Sequence, residues 1–369
     1  MIVNTQYNSN KSSFTFDDET YDIQKSNQHI SLIGGKPNIN YTLKQTNSCI
    51  FAFTNTQDYV YCVTPQGLVP VMRLGKLFSG INIVSGYSSN DIQDSVFFFQ
   101  INYSDTAPKY IIKAKNQMDL CNISEQSIIT LKNNSTFYND VAIVTTNNNK
   151  YIICGVTNTQ IRSISINSNG DTTSLLSYSL IQSSNNCFCA AGNGKFVVAT
   201  GNMTYGVQKV IRIYTTDSYD STNNPTDRIL VSKSSTGSYD LNIYSFYFDH
   251  FINKFVIIFG SEVTYLNVGT SNDGINWDIK EIPMISSHKN NLAFDKDYYY
   301  IINNDVENYY IYDKNFNQIS KNTIPFVDTS SINKTGSCGF ANGTLYINTN
   351  ETSIMGIRQQ DFITINKEF

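Results

Sequence analysis

The feature that most constrains the fold of this sequence is a repeated unit of short apolar strands separated by polar turns. Its clearest copy starts at Ile243 and reads IYSFYFD, the turn HFIN, KFVIIFG, EVTYLNVGTS, the turn NDGIN and then WDIK. Each strand alternates apolar with polar residues or forms a short apolar run, and Asn, Gly, Asp and Ser bound it, which is the strand and hairpin signal. One copy therefore predicts a sheet of four antiparallel strands.

Further copies align on the second strand of this unit. The clear ones are NNKYIICG, GNGKFVVATG, KDYYYIINN and ANGTLYINTN, with weaker versions around Val60 and Phe98. They are spaced by roughly 40 to 60 residues, as in propeller repeats that carry loop insertions. We therefore predict an all-β fold, a β-propeller of six or seven four-stranded blades. Residues 1–25 are predicted as an N-terminal arm, in which Ser12 to Phe16 can close the ring against the last blade, and 26–369 as the propeller domain.

Two other all-β architectures predict different sequence features. A pair of β-sandwiches would show a polar linker in mid-chain, but the best candidate, DSYDSTNNPTDR at 217–228, lies inside a repeat. A β-helix would show a shorter period. The spacing of the repeats therefore favours the propeller.

Composition narrows the range of functions. Charged residues make up 15% and aromatic residues 13% of the chain, a balance typical of strands rather than helices. The net charge is −4 and the basic residues are dispersed, so we expect no nucleic-acid partner. Neither a signal peptide nor an apolar run long enough for a membrane span is expected.

The cysteines indicate buried structural thiols rather than a metal site. Seven are scattered along the chain, most of them in strand-like apolar runs, which is typical of buried free thiols. Cys187 and Cys189 would share one strand face, but a metal site needs further ligands and the chain has only three His. No metal or other cofactor is predicted.

One turn resembles a motif of known propeller families. Ser271-Asn272-Asp273-Gly274-Ile275-Asn276-Trp277 is similar to the Asp-box, Ser-x-Asp-x-Gly-x-x-Trp, of sialidases and many other propellers, with one residue missing before the glycine. The resemblance implies that the turn joins the third and fourth strands of a blade. It also implies that Asp273 caps backbone amides, Gly274 has a positive φ and Trp277 packs between blades. Because such turns lie opposite the usual ligand funnel, we assign the box a structural role.

The resemblance leaves a glycan-cleaving enzyme as the alternative function. Sialidases use an arginine triad with a tyrosine nucleophile, but this chain has five dispersed Arg, and Arg212 lies in an alternating strand. Hydrolysis by carboxylates needs two of them about 5 to 10 Å apart. Asp249, Asp295 and Asp313 each end a strand-like run, where Asp is expected as a turn residue. We predict no catalytic residue.

Composition also suggests a setting. A chain that is low in charge, rich in Asn, Thr, Ser and Tyr and made of strands and long loops resembles the propellers of bacteriophage tails and fibres. The resemblance implies a non-enzymatic virion component, assembled in the host cytoplasm and part of an oligomeric assembly. It would bind host surface glycan or neighbouring virion subunits. A purely architectural propeller without a ligand is the third possibility.

The interaction surface is predicted from blade geometry. Loops between second and third strands, and those that lead to the next blade, emerge on one face, which collects Asn202 to Tyr205, Ser235 to Asp240 and Asn303 to Asn308. Tyr205, Tyr239 and Asp240 are the candidate binding residues, since tyrosine can stack on a sugar and a carboxylate can accept its hydroxyls. The alternative is that they are ordinary solvated loop residues.

Overall fold

A computed structural model describes most of the chain beyond residue 127 and the strands before it. The described residues are 13–16, 19–26, 29–34, 42–45, 50–53, 59–64, 67–73, 81–82, 95–101, 109–114, 128–132, 136, 138–146, 150–205, 208–234, 241–261, 265–283, 290–303, 308–323, 338–341, 343–350, 353–358 and 362–367.

The described residues form 31 β-strands and no helix. The first three strands are β1 (Ser13–Phe16), β2 (Glu19–Ser26) and β3 (His29–Gly34). Blade 1 contains β4 (Thr42–Gln45), β5 (Ile50–Phe53), β6 (Tyr59–Thr64) and β7 (Gly67–Arg73). Blade 2 contains β8 (Ile81–Asn82), β9 (Ser95–Ile101), β10 (Lys109–Ala114) and β11 (Ile128–Thr130). Blade 3 contains β12 (Asp140–Thr145), β13 (Tyr151–Val156), β14 (Gln160–Ile166) and β15 (Thr172–Ser179).

The remaining strands complete the ring. Blade 4 contains β16 (Asn186–Gly192), β17 (Lys195–Tyr205), β18 (Gln208–Thr215) and β19 (Thr226–Ser234). Blade 5 contains β20 (Leu241–Asp249), β21 (Lys254–Ser261), β22 (Tyr265–Ser271) and β23 (Asp278–Ile282). Blade 6 contains β24 (Asn290–Phe294), β25 (Tyr298–Asn303), β26 (Asn308–Asp313) and β27 (Gln318–Thr323). Blade 7 contains β28 (Cys338–Ala341), β29 (Thr344–Asn350), β30 (Ser353–Arg358) and β3, and the last strand is β31 (Phe362–Lys367).

The described part of the chain thus contains seven four-stranded antiparallel sheets, which confirms the predicted all-β fold at the higher of the two blade counts. A three-stranded sheet, in the order β1-β2-β31, joins the two ends of the chain. Within each blade except the last, the strands follow one another in chain order.

An N-terminal strand completes the last blade, at a different place from the one predicted. The fourth strand of blade 7 is β3, whose six residues pair one for one with β30, from His29 opposite Arg358 to Gly34 opposite Ser353. The segment predicted to close the ring forms β1, which has four residues and pairs with β2. β3 provides a backbone partner for every residue of β30, and of the three N-terminal strands it is the nearest to blade 1 in the chain.

The blades pack against one another through their apolar faces. The first strands of blades 3, 4, 5, 6 and 7 contact each other in that order, and β28 contacts β4 of blade 1. All six residues of β13 are buried, whereas four of the five residues of β23 are exposed, so the fourth strand forms the rim of a blade. One apolar cluster joins Val197 and Ile213 of blade 4 to Phe246 and Phe255 of blade 5, so the core lies between the sheets.

Polar side chains on the first strands also link successive blades. In each case, a side-chain oxygen accepts a backbone N–H from the first strand of the next blade. The bonds are Cys189 N to Asp140 Oδ2 at 2.9 Å, Ile243 N to Asn186 Oδ1 at 2.7 Å and Leu292 N to Ser245 Oγ at 3.2 Å. Because a buried N–H without a partner is costly, these bonds favour one relative position of the blades.

Candidate functional site

The antiparallel strands give the ring two different faces. On the hairpin face, the first strand of a blade turns into the second and the third into the fourth, as at Asn193 and Gly194 of blade 4. On the loop face, the second strand ends, the third begins and the chain passes to the next blade. The segment that contains Asn202 lies at this face because it is at the end of β17.

A polar depression of about 330 Å³ lies on the loop face where blades 3, 4 and 5 meet. All of its lining residues carry uncharged amide or hydroxyl side chains. They are Ser183, Ser184, Asn185, Asn186, Asn202 and Asn242. The chain passes from blade 3 to blade 4 at Ser183 to Asn185, and the other residues lie on the ends of three strands, β16, β17 and β20.

The base of the depression is held by internal hydrogen bonds. The Ser184 hydroxyl donates to the Gly201 carbonyl at 2.6 Å and accepts the Asn186 N–H at 3.1 Å. The Asn186 amide both donates to the Ile243 carbonyl at 2.9 Å and accepts the Ile243 N–H. A Cβ at Gly201 would lie 2.2 Å from Asn186 Oδ1, so only glycine leaves room for this amide. Ser184 and Asn186 are therefore fixed before any ligand arrives.

The rim, in contrast, has unused hydrogen-bonding capacity. Asn202 adopts a positive φ of 52° at a bulge between Thr200 and Met203, a conformation that asparagine tolerates better than most residues. Lys209 Nζ donates to Asn202 Oδ1 at 3.2 Å, and no described residue accepts a hydrogen bond from Asn202 Nδ2. Within the described residues, the side chains of Asn185 and Asn242 have no hydrogen-bond partner.

The predicted binding residues are only partly described. Tyr205 ends β17, and its backbone pairs with Gln208 at the same face, while Tyr239 and Asp240 lie outside the described residues. Asn202 falls in a segment that the sequence assigned to this face. The connection at 183–186 and Asn242 were not predicted from the sequence. The available signal was SSNN, a run of small polar residues between an outer strand and the next inner strand.

On the hairpin face, the Asp-box-like turn is closed by its own hydrogen bonds. Asp273 Oδ1 accepts the N–H groups of Ile275 and Asn276, both at 2.8 Å, and the Ser271 hydroxyl at 3.1 Å. The Asn276 amide donates to Asp273 Oδ2 at 2.7 Å. Burial alone would raise the pKa of Asp273, but the donors from Asn276, Ile275 and Ser271 outweigh it and lower the pKa to about 2.

Gly274 and Trp277 connect this turn to blade 4. Gly274 has a φ of 72°, and a Cβ there would lie 2.4 Å from Val197, so both conformation and space require glycine. The Gly274 carbonyl accepts the Thr215 hydroxyl of blade 4 at 2.7 Å and the indole N–H of Trp277 at 3.1 Å. The Trp277 ring packs against the cluster shared by blades 4 and 5 and lies 6.2 Å from the ring of Phe246.

Blade 6 contains a related turn that was not predicted from the sequence. Asp313 Oδ1 accepts the N–H groups of Asn315 and Asn317 at 2.9 and 2.8 Å. Phe316, in the left-handed region at φ 57°, stacks on Tyr299 with ring centroids 4.3 Å apart. This turn thus has the Asp cap and the aromatic ring of the Asp-box but lacks its Ser and Gly. The sequence feature that could have predicted it is Asp-x-Asn-Phe-Asn.

The three strand-end carboxylates all lie on the hairpin face and are all engaged. Asp249, which is fully buried, accepts Lys314 Nζ at 2.7 Å and the Tyr299 hydroxyl at 2.8 Å. Asp295 accepts two backbone N–H groups of its turn and the Tyr300 hydroxyl, and Asp313 caps the turn described above. These contacts are those of turn caps and a buried ion pair.

The arginine and the cysteines considered as candidate functional groups are buried or paired within the fold. Arg212 lies in β18, is 7% exposed and pairs with Asp227 at 2.7 Å. The described cysteines Cys154, Cys187, Cys189 and Cys338 are buried free thiols. In the described ranges, no three His, Cys, Asp or Glu side chains gather as a metal site. The same ranges hold no helix long and apolar enough to cross a membrane.

Known proteins resemble this chain in fold. Virginiamycin B lyase from Staphylococcus aureus is 11% identical, with 90% of this chain and 99% of that chain covered and a TM-score of 0.57. A streptogramin B lyase is 10% identical over 90% of this chain and 98% of that chain, with a TM-score of 0.58. The Cps50 (Swd1) β-propeller domain of Myceliophteria thermophila is 9% identical over 90% of this chain and 100% of that chain, with a TM-score of 0.54. No family model and no curated protein matches the chain. The chain is a β-propeller.

Proposed function

We propose that this β-propeller is a non-enzymatic binding protein that recognises a neutral glycan through the depression on its loop face. The observation that carries the proposal is the combination of a fixed base, rim amides that keep unused hydrogen-bonding groups, and described lining residues that are all uncharged. A preorganised site loses little conformational freedom when a ligand binds.

The chemistry of the lining fits sugar hydroxyls. A hydroxyl both donates and accepts, and so does an asparagine amide, so each rim amide can pair with a hydroxyl in either orientation. The volume of about 330 Å³ is at the lower end of the range for small-molecule sites, which suits a short stretch of a glycan. The described lining residues carry no charge, and the ammonium of Lys209 at the rim is bonded to Asn202 Oδ1, so the lining itself offers no ion-pair partner to an acidic sugar.

The biological setting we propose is the virion of a bacteriophage, with the propeller as a tail or fibre component that contacts host surface glycan or neighbouring virion subunits. This part of the proposal is supported by composition: 15% charged residues and strands rich in Tyr, Asn, Ser and Thr. Such a component would work as part of an oligomeric assembly, in which many weak sugar contacts add up to firm attachment.

The glycan site is tested by titrating neutral and acidic oligosaccharides against the protein in a calorimeter. We expect Asn185→Ala combined with Asn242→Ala to weaken binding of the neutral oligosaccharide about tenfold, since each lost hydrogen bond is worth about 0.5 to 1.5 kcal/mol. Asn202→Gly keeps the left-handed backbone while removing the amide, so it should weaken binding without strain.

Asn315→Ala is the matched control, because this exposed Asn lies on the hairpin face, 130 positions after Asn185 in the chain. It should bind like the wild type. Neutral glycan affinity that is unchanged in the Asn185→Ala/Asn242→Ala variant would contradict the proposed site, as would tighter binding of acidic than of neutral oligosaccharides.

A further inference from the structure

A second group of amides lies on the loop face, at blade 3. Asn139 directly precedes β12, the first strand of that blade, and Asn158 lies in the turn between β13 and β14. Both positions belong to the loop face, because first strands begin there and second strands end there. The Asn139 amide donates a hydrogen bond to Asn158 Oδ1. The two side chains therefore form one polar pair at this face.

Backbone hydrogen bonds place this pair beside the depression. The Asn158 carbonyl accepts the N–H of Ser184, which lies in the base of the depression, at 2.9 Å. The Thr159 carbonyl accepts the N–H of Leu180 at 2.8 Å, so the connection from blade 3 to blade 4 is bonded to the turn at two points. Asn158 is thus a direct neighbour of a lining residue, and the polar surface continues from the depression onto blade 3.

The turn that carries Asn158 is closed by its own hydrogen bonds. The Thr157 N–H donates to the Gln160 carbonyl at 2.8 Å, and the Thr157 hydroxyl accepts the Gln160 N–H at 3.0 Å. Asn158 itself is exposed. No described residue accepts a hydrogen bond from Asn158 Nδ2 or donates one to Asn139 Oδ1. The pair therefore offers both donors and an acceptor from a backbone that is already fixed, as the rim of the depression does.

We infer that the ligand of this face is a linear neutral polysaccharide, of which consecutive sugar residues lie across blades 3, 4 and 5. This inference rests on the proposed glycan site and deepens it. One stretch of the chain occupies the depression, between Asn185 and Asn242, and the next reaches the pair of Asn139 and Asn158. Each sugar of such a chain presents hydroxyls, and the same amide chemistry meets them on successive blades. A ligand confined to the depression leaves the pair on blade 3 unused.

The test is calorimetric affinity as a function of chain length, with linear glucose oligosaccharides from the disaccharide to the octasaccharide as probes. We expect the octasaccharide to bind more tightly than the disaccharide. Asn139→Ala with Asn158→Ala should weaken the octasaccharide about tenfold and leave the disaccharide unchanged, because only the longer chain reaches the pair. A long chain can also bind in more positions, but that advantage is equal in both proteins, so the variant isolates the contribution of the pair.

Two further variants separate recognition from folding. Asn158→Asp keeps the acceptor for the Asn139 amide but removes the amide donors, so it should weaken the octasaccharide at a constant melting temperature. Asn169→Ala, at an exposed Asn on the hairpin face of the same blade, is the matched control and should bind every length like the wild type. The inference is overturned if the Asn139→Ala/Asn158→Ala variant binds the octasaccharide like the wild type or weakens both oligosaccharides equally. Absence of binding at every length contradicts the proposed glycan site itself.

Discussion

Trp277→Ala is the substitution that most directly tests how the blades are held together. A fully buried aromatic side chain removes about 150 to 250 Å² from water, worth about 4 to 6 kcal/mol at about 25 cal/mol per Å². Trp277 is largely but not fully buried and alanine keeps the Cβ contacts, so about half of that is lost, together with about 1 kcal/mol for the bond to the Gly274 carbonyl. We expect a loss of about 3 kcal/mol of unfolding free energy.

The loss is measured by urea unfolding and by thermal melting. For a chain of 369 residues, about 2.1 cal/mol/K of unfolding entropy per residue converts about 3 kcal/mol into a fall in melting temperature of about 4 °C. Trp277→Phe is the control, since it keeps a ring against Phe246 and loses only the indole N–H, so about 1 kcal/mol should be lost. Unchanged melting with impaired glycan binding would refute the reasoning and place the box on the binding face.

Three further predictions concern the caps, the buried ion pair and the loops. The pKa of Asp273 in the folded chain is about 2, below its ordinary value. The ionised carboxylate therefore stabilises the fold above about pH 4, and this stabilisation is lost as the pH falls towards 2. In acid unfolding, the Asp273→Asn variant should lack this pH-dependent loss of stability. Asp249→Ala leaves Lys314 buried without its partner and should cost about 3 to 5 kcal/mol in urea unfolding, whereas adding Lys314→Met should recover part of that loss. Tyr205→Ala with Tyr239→Ala should lower host-cell or subunit binding several-fold at a constant melting temperature, and survival of binding would contradict the assignment of those loops.

A last prediction tests the alternative function, glycan cleavage. The protein should release no reducing sugar from host polysaccharide during long incubation. Turnover that a single Asp or Glu substitution abolishes would favour the enzyme.

The sequence determined the strands and the turns because their signals are local. Alternation of apolar and polar residues over five to eight positions is enough to predict a strand, so the copies around Val197 and Tyr300 lie in β17 and β25. The Asp-box-like turn is equally local, since Asp273 accepts its bonds from residues two and three positions ahead. The repeat of such units then indicates a propeller without any knowledge of distant contacts.

Tertiary structure alone decided which distant residues meet. The base of the depression depends on Asn186 and Ile243, which are 57 positions apart, and its rim brings together Asn185, Asn202 and Asn242. The closing strand was likewise set by pairing: β3 matches the length of β30, at the other end of the chain. No sequence period specifies such partners, because asparagine reads as a turn residue wherever it stands, and only the packing of one blade against the next gives its amide a fixed role.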